Sequence, residues 1–250
     1  SISGGHIKKL ENLGSPVEGE KFILPGFVDS HVHVESSMLT PSGFSESVYR
    51  HGTVAIVSDP HEIANVLGVE GVRFMIRDAK KNALKIYFGA PSCVPATNFE
   101  SSGSKIGPVE IEILLKENEL KFLSEMMNFP GVINADPEVM KKIRLAKFYN
   151  RPVDGHAPGL KGEELKRYIN AGITTDHECF TLEEAIEKIR KGMKIQIREG
   201  SAARNFETLY PLVDMYPDDV MFCLDDMHPD ELLQGHINSI VKRCLQKGLD

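Results

Sequence analysis

Two histidines separated by one residue follow an apolar, strand-like run near the start of the chain. His31 and His33 come after a Pro-Gly pair and the apolar residues Phe27 and Val28. Side chains alternate between the two faces of an extended strand, so both imidazoles point the same way, roughly 6.5 Å apart along the backbone. Two imidazoles at this separation can close on one metal ion. The plainer alternative is a hydrogen-bonded pair of histidines at a strand end.

Further polar residues, most of them histidines and carboxylates, lie at the ends of other strand-like runs. They are Asp59, His61 and Glu62 at the end of the second run, Glu125 at the fourth, His156 at the fifth, His177 and Glu178 at the sixth, Arg198 and Ser201 at the seventh, and Asp225 at the eighth. Taken singly, each could be a helix cap, half of an ion pair or a hydrogen-bonded loop residue. Burying so many ionisable groups together costs several kcal/mol unless something compensates their charge. Neutral imidazoles and carboxylates suit a pair of divalent ions such as Zn²⁺, Mn²⁺ or Fe²⁺.

The elements that must position these residues alternate between strand-like and helix-like runs from residue 22 onward, which predicts βα units and a parallel sheet. The predicted strands are 27–33, 53–58, 85–90, 120–124, 152–156, 173–176, 194–198 and 220–224. Eight such units in a chain of this length favour a (β/α)₈ barrel of the TIM type over an open sheet, because an open sheet leaves two edges to protect. In such a barrel the functional residues gather at the C-terminal ends of the strands.

The clearest predicted helix covers residues 181–191. Thr181 is a typical N-cap, Glu184 stands where a capping box needs it, and Gly192 is a typical helix stop. Leu182, Ala185, Ile186 and Ile189 form the apolar stripe of this helix. The run at 162–170 has the same design, with Gly172 after it.

The composition is that of an ordinary globular protein, since 41% of the 250 residues are hydrophobic and 26% are charged. The net charge of −7 argues against nucleic-acid binding through a basic patch. Cys93, Cys179, Cys223 and Cys244 are widely spaced, which favours reduced thiols. The start does not resemble a signal peptide, and no apolar run is long enough to span a bilayer. We therefore expect a cytoplasmic protein that binds neither nucleic acid nor a membrane.

The sequence predicts two parts of very unequal length. Residues 1–24 read as a few short strands and turns, at 2–8 and 14–16, which are too few to form a core. We expect them to be a remnant of a small β domain, and residues 25–250 to form the barrel. Because the chain starts without Met and ends just after a helical run, we expect it to be a fragment of a longer protein.

The segments around the polar residues resemble the amidohydrolase superfamily and, more narrowly, the bacterial and archaeal adenine deaminases. The matching segments are 25–38, 59–68, 125–132, 153–159, 176–179 and 198–202. The similarity extends over about residues 22–250. It implies a (β/α)₈ barrel accompanied by a small β-sandwich built from segments on both sides of the barrel, of which residues 1–24 would be the remnant.

The resemblance also implies a set of metal ligands. They are His31, His33 and Asp225 for one ion, His156 and His177 for the other, and Glu125 as the bridge between the two. The wider superfamily often uses a carboxylated lysine as the bridge. The expected cofactor is a pair of divalent ions, manganese or iron, with zinc as the alternative.

The reaction that the resemblance implies is hydrolysis of a C–N bond in a cyclic amidine. A metal-activated hydroxide would attack C6 of adenine, and hypoxanthine and ammonia would be released, as in purine salvage and adenine catabolism. The catalytic candidates are Glu125 and Asp225, the latter as the group that moves a proton from the attacking water to the leaving amine.

The remaining polar residues are expected to contact the substrate or to support the ligands, with loop hydrogen bonding as the open alternative. They are Asp59, His61, Glu62, Glu178, Arg198 and Ser201. The expected partners are a small-molecule substrate and further copies of the same chain. A cytosine deaminase, a dihydroorotase-like enzyme and a metal-binding barrel fragment without activity remain alternatives.

Overall fold

The computed structural model describes residues 2–11, 14, 23–97 and 99–249. Near the N-terminus, strands Ile2–Ser3 (β1) and His6–Ile7 (β2) pair as an exposed antiparallel hairpin, in agreement with the short strands predicted there. The turn predicted at 14–16 falls mostly on residues outside the described part of the chain. The assignment of residues 1–24 to a separate β domain stays a prediction.

Residues 23–249, as far as they are described, contain eight parallel strands that form a barrel. The strands are β3 (Phe27–Val32), β4 (Thr53–Ser58), β5 (Lys85–Ala90), β6 (Leu120–Met126), β7 (Val153–Gly155), β8 (Thr175–Asp176), β9 (Lys194–Arg198) and β10 (Val220–Cys223). Strands β3 to β7 pair in chain order, as do β8 to β10. Parallel bridges from Val32 to Asp225 and from Val153 to Ile173 join the two sets and close the sheet. The predicted α/β barrel is confirmed.

The observed strands differ from the predicted ones mainly at their ends. Strand β6 continues to Met126, so Glu125 lies within the strand rather than after it. Strand β8 is limited to Thr175–Asp176, because Ile173 makes only an isolated bridge to β7. The carboxyl ends of the strands nevertheless meet on one side of the barrel, as a closed parallel sheet requires.

Helices cover the outside of the barrel. They are α1 (Pro41–Tyr49), α2 (His61–Ala79), α3 (Pro108–Leu115), α4 (Phe129–Ile133), α5 (Pro137–Phe148), α6 (Gly162–Ala171), α7 (Leu182–Arg190), α8 (Phe206–Leu209), α9 (Leu212–Met215), α10 (Pro229–Leu232) and α11 (Ile237–Gln246), with 3₁₀ turns at Val34–Ser37 and Pro217–Asp219. Their apolar faces bury a core with strand residues such as Ile56, Leu123 and Ile195. No described helix combines the length and the apolarity that crossing a bilayer requires.

Helix α7 confirms part of its predicted cap and corrects the rest. The Thr181 hydroxyl accepts a hydrogen bond from the backbone N–H of Glu184 at 3.2 Å, as an N-cap should. The capping box is wrong, because the Glu184 carboxylate accepts hydrogen bonds from Lys188 Nζ at 2.7 Å and from the N–H of Gly159 at 2.9 Å. Lys188 is completely buried and also donates to Asp176 at 2.8 Å. A buried ammonium needs anionic partners more than the helix end needs a second cap.

The amino-terminal side of the strands surrounds an apolar cavity of about 350 Å³. Its lining includes Val28, Phe122 and Met221, together with the mid-strand residues Asp154 and Gln196. The two ends of the barrel interior therefore differ sharply in chemistry.

Candidate metal centre

His31 and His33 lie buried at the carboxyl end of β3, and their Nε2 atoms are 3.1 Å apart. Nδ1 of His33 lies 3.0 Å from the carbonyl oxygen of Asp59. Because a carbonyl oxygen only accepts, this Nδ1 carries a hydrogen, which leaves Nε2 as the nitrogen of His33 that can bind a metal ion. Nδ1 of His31 lies 2.7 Å from Oδ2 of Asp154. Both Nε2 atoms therefore face one shared space inside the barrel mouth.

Glu125 stands between two groups of imidazoles. Its Oε1 is 3.3 Å from Nε2 of His33 and 3.5 Å from Nδ1 of His61. Its Oε2 is 2.7 Å from Nδ1 of His156 and 3.4 Å from Nε2 of His177. The carboxylate is 3% exposed, so the imidazoles rather than water surround it. One side chain from β6 thus connects residues from the beginning and the middle of the chain.

Asp225 joins the first group of donors from the opposite end of the chain. Its Oδ1 is 3.5 Å from Nε2 of His31 and 3.1 Å from Nε2 of His33. Its backbone adopts φ = 59°, an uncommon value for a residue other than glycine. Two backbone hydrogen bonds hold Asp225 in this conformation: its N–H donates to the carbonyl of His31 in β3, and its carbonyl accepts from the N–H of His33 just after β3. Such strained positions are typical of functional sites.

Arg198 connects the carboxylates on the far side of the cluster. Its guanidinium donates to both oxygens of Glu178 and to Oδ2 of Asp225. Oε1 of Glu178 is also 3.5 Å from Nδ1 of His156 and 3.5 Å from Nε2 of His177. Arg198 therefore fixes two acidic groups that flank the imidazoles.

The second polar cluster, Asp59, His61 and Glu62, adjoins the first. Oδ2 of Asp59 accepts from Nδ1 of His61 at 3.1 Å, and Oε1 of Glu62 is 3.4 Å from Nδ1 of His33. Ser201 has a different environment. Its hydroxyl donates to Glu231 at 2.6 Å and accepts from the N–H of His228 at 2.8 Å.

The structure adds residues to which the sequence analysis assigned no role. Asp154 contacts His31, and Glu35 accepts a hydrogen bond from the N–H of Ile63 at 3.3 Å. Burial, together with the nearby charge of Glu62, raises the pKa of Glu35 to about 8. The one available signal for Asp154 was its Asp-x-His spacing to His156, which repeats the spacing of the first pair on another strand.

The electrostatics of the cluster favour cations. Burial alone would raise the pKa of Glu125, but hydrogen bonds from His156, His177 and His33 hold that pKa well below its usual range. Burial likewise opposes the charge of Asp225, and the contacts with His31 and His33 outweigh it and lower the pKa of this carboxyl group. In turn, burial disfavours protonated imidazoles, yet the carboxylates raise the pKa values of His31 and His33 well above normal. Glu125 and Asp225 therefore stay ionised, and positively charged groups or ions beside them are stabilised.

The donors fit divalent ions. Ligand atoms within 4.8 Å of one another form several overlapping groups, among them His31–His33–Asp225, His31–Glu125–His177 and His33–Asp59–His61–Glu125. In the described part of the chain, the buried atoms Nδ1 of His177 and Oδ1 of Asp59 have no hydrogen-bond partner. Imidazole nitrogens and carboxylate oxygens, with the negative charge in excess, are what manganese, iron and zinc ions accept.

The fold and this cluster together define a class of protein. The amidohydrolase family model matches residues 22–241. The chain belongs to the amidohydrolase family.

Within this family, the chain is similar in sequence to curated proteins of one kind. The chain is 57% identical over 249 residues to the adenine deaminase of Sulfurovum sp. (strain NBC37-1), which covers 100% of this chain and 46% of the relative. It is 57% identical over 251 residues to the adenine deaminase of Methanosarcina mazei and 58% identical over 251 residues to that of Salinibacter ruber, with 100% of this chain and 45% of each relative covered. The chain thus spans about half the length of these relatives.

Solved structures share the fold at low identity. YJJV, a TatD homologue of Escherichia coli, has a TM-score of 0.58 and 13% identity, with 87% of this chain and 90% of that chain covered. The β-aspartyl dipeptidase of Fervidobacterium islandicum AW-1 has a TM-score of 0.58 and 16% identity, with 91% and 69% covered. These likenesses support the barrel architecture alone.

Proposed function

We propose that this chain is the metal-binding barrel of an adenine deaminase, a hydrolase that converts adenine and water into hypoxanthine and ammonia and serves purine salvage. The observation that carries the proposal is the position of Glu125 between His33 and His61 on one side and His156 and His177 on the other. The adenine deaminases that are 57–58% identical over the whole chain support this choice of substrate.

The proposed ligands are those that the resemblance to adenine deaminases implies, and the donor groups His31–His33–Asp225 and His31–Glu125–His177 support them. His31, His33 and Asp225 would hold one ion, His156 and His177 the other, and Glu125 would contact both. Manganese or iron is the proposed metal, with zinc as the alternative. When bound, such a pair acts as a Lewis acid and lowers the pKa of water, so that a hydroxide nucleophile exists near neutral pH.

Asp225 is the proposed proton carrier. Its Oδ1 faces the imidazoles, whereas Oδ2 is held by Arg198. The carboxylate would accept the proton of the attacking water and return it to the exocyclic amine as the C6–N bond breaks and ammonia leaves. Arg198 would hold it in place.

The surrounding polar groups would recognise the purine. Glu178 lies beside His156 and His177, and Glu62 lies beside His33, so both carboxylates border the space that a substrate must enter. We assign Asp59 and His61 to the support of this border. For Ser201, the contact with Glu231 supports a role in bracing the loop after β9.

The test uses the full-length protein loaded in turn with manganese, iron and zinc. We expect ammonia release from adenine, loss of that activity after treatment with a chelator, and recovery when metal is returned. Glu125→Gln should abolish turnover and reduce the bound metal. Absence of ammonia from adenine with every metal would contradict the proposal. Turnover of cytosine or dihydroorotate instead would point to another amidohydrolase, and bound metal without turnover to an inactive barrel.

The full-length protein is also proposed to be a homo-oligomer. Val109 and Ile113 of α3 and Phe148 of α5 are 62%, 42% and 80% exposed, respectively, on neighbouring helices. Exposed apolar side chains on neighbouring helices are a feature of association surfaces. Light scattering coupled to size-exclusion chromatography tests this, and a monomer over the accessible concentration range would contradict it.

A further inference from the structure

Asp154 contacts a proposed metal ligand on the side of the ring that faces away from the other donors. Its Oδ2 lies 2.7 Å from Nδ1 of His31, and both side chains are buried. Nε2 of the same ring points toward His33 and Asp225. We propose that Asp154 is a positioning residue, which fixes the orientation and tautomer of His31 so that Nε2 is free to bind metal. This inference rests on the metal site of the proposed function.

The protonation state follows from the partners. A carboxylate oxygen accepts hydrogen bonds, so Nδ1 of His31 carries a hydrogen toward Asp154 and Nε2 is the nitrogen left to bind a metal ion. A carboxylate on the far nitrogen also makes an imidazole a stronger donor, as it does behind the histidine ligands of many metal sites. Asp154 supplies both effects from a strand on the other side of the barrel, 123 positions along the chain.

Asp154 is itself held rigidly. Its Oδ1 accepts hydrogen bonds from the N–H of Gly155 at 3.1 Å and from the Thr175 hydroxyl. Strands β7 and β8 come unusually close here, since a Cβ on Gly155 would overlap the Thr175 carbonyl oxygen. The glycine therefore brings Thr175 within reach of Asp154, and the carboxylate has one oxygen for the scaffold and one for His31.

The other proposed ligands have different partners on their second nitrogen. Nδ1 of His33 donates to the neutral carbonyl of Asp59. Nδ1 of His177 has no hydrogen-bond partner among the described residues. Nδ1 of His156 lies 2.7 Å from Glu125, which is itself a proposed ligand, and Glu62 is 3.4 Å from Nδ1 of His33. Among the proposed ligands, His31 thus has the short contact with a carboxylate outside the ligand set, so loss of that charge should weaken chiefly the ion that His31 holds.

The experiment measures metal affinity in the full-length protein. Wild type, Asp154→Asn, Asp154→Ala and Thr175→Val are dialysed against a series of buffered free Mn²⁺ concentrations, and bound Mn²⁺ is counted by elemental analysis. Asp78→Asn is the control for loss of a buried carboxylate, because Asp78 is 4% exposed and accepts from the N–H of Ser42 in another part of the fold. Thr174→Val is the control for loss of a neighbouring hydroxyl.

We expect Asp154→Asn and Asp154→Ala to weaken one of two bound ions by roughly 10–100-fold and to leave the other much less affected. Thr175→Val should weaken the same ion by a smaller factor, and both controls should bind like wild type. Selective weakening of one ion is a result that general destabilisation would not produce.

Two results would overturn the inference about Asp154, and a third would contradict the proposed manganese site. Mn²⁺ affinity in Asp154→Asn equal to that of Asp78→Asn would overturn the inference while leaving the proposed function intact. If the Asp154 variants fail to fold, Thr175→Val decides, and an affinity equal to that of Thr174→Val overturns the inference. Absence of Mn²⁺ binding in the wild type would instead contradict the manganese site of the proposed function.

Discussion

The two ends of the barrel interior are built from the same strands and have opposite chemistry. At the carboxyl ends, His31, Glu125 and Asp225 are almost completely buried and ionisable. At the amino ends, Val28, Phe122 and Met221 border an apolar cavity. Burying charged groups destabilises the folded state unless they are paired, whereas burying apolar groups stabilises it. The comparison supports the proposed metal site at the carboxyl ends and indicates that the amino ends contribute mainly to stability.

The largest expected effect is at the carboxyl end. Asp225→Asn should lower kcat for adenine by roughly 10²–10⁴-fold, because an amide cannot accept the proton of the attacking water. Steady-state ammonia release measures this. Asp226→Asn is the matched control, since the neighbouring carboxylate accepts a hydrogen bond from Ser36. Equal activity of the two variants would remove Asp225 from the proposed chemistry.

The corresponding change at the amino end should affect stability alone. Phe122→Ala should lower the free energy of unfolding by about 3–5 kcal/mol, because Phe122 is 6% exposed and its removal enlarges the cavity. Chemical denaturation measures the loss, and Val28→Ala, at a half-exposed position, should cost less. A fall in kcat per folded molecule comparable with that of Asp225→Asn would break the distinction between the two ends.

A buried histidine outside the metal cluster should make stability depend on pH. Burial, aided by nearby His51, lowers the pKa of His236 from 6.5 to about 3, and Nε2 of His236 lies 3.4 Å from Oδ2 of Asp29. Between these pH values the unfolded chain binds a proton that the folded chain does not. The free energy of unfolding should therefore fall as the pH drops below 6.5, by up to about 1.4 kcal/mol per pH unit.

The measurement compares wild type with His236→Gln by denaturation from pH 7 down to pH 4 or so. The substitution should flatten the part of the pH dependence that His236 causes. His6→Gln is the control, because His6 is exposed in the N-terminal hairpin. Identical slopes for wild type and His236→Gln would show that this histidine does not control acid stability.

The smallest effect concerns a residue near the carboxyl end that has no proposed chemistry. Thr181→Ala should cost about 1 kcal/mol of stability, because it removes the hydroxyl that caps α7. Thermal denaturation measures the loss, and Thr181→Ser should restore it. If Thr181→Ala lost activity without losing stability, Thr181 would belong to the proposed active site rather than only to the cap of α7.

Much of the architecture could be predicted from local patterns. Alternating apolar runs located each barrel strand to within about two residues of its observed ends, as β4 and β9 illustrate. The capping box at Glu184 was wrong, because the pattern could not show that Lys188 is buried and takes the carboxylate. The burial of Lys188 could not be predicted from the sequence, because a lysine on a helix is normally exposed to solvent.

The residue types and their spacing determined which side chains end up at the carboxyl ends of the strands, because a strand alternates its faces and a parallel barrel aligns its strands. The tertiary structure alone decided which nitrogen of each imidazole faces the cluster and which groups orient it. The contact between His31 and Asp154 joins residues 123 positions apart. Local periodicity carries no information about such a contact, since it depends on closure of the sheet and on the close approach of β7 and β8 at Gly155.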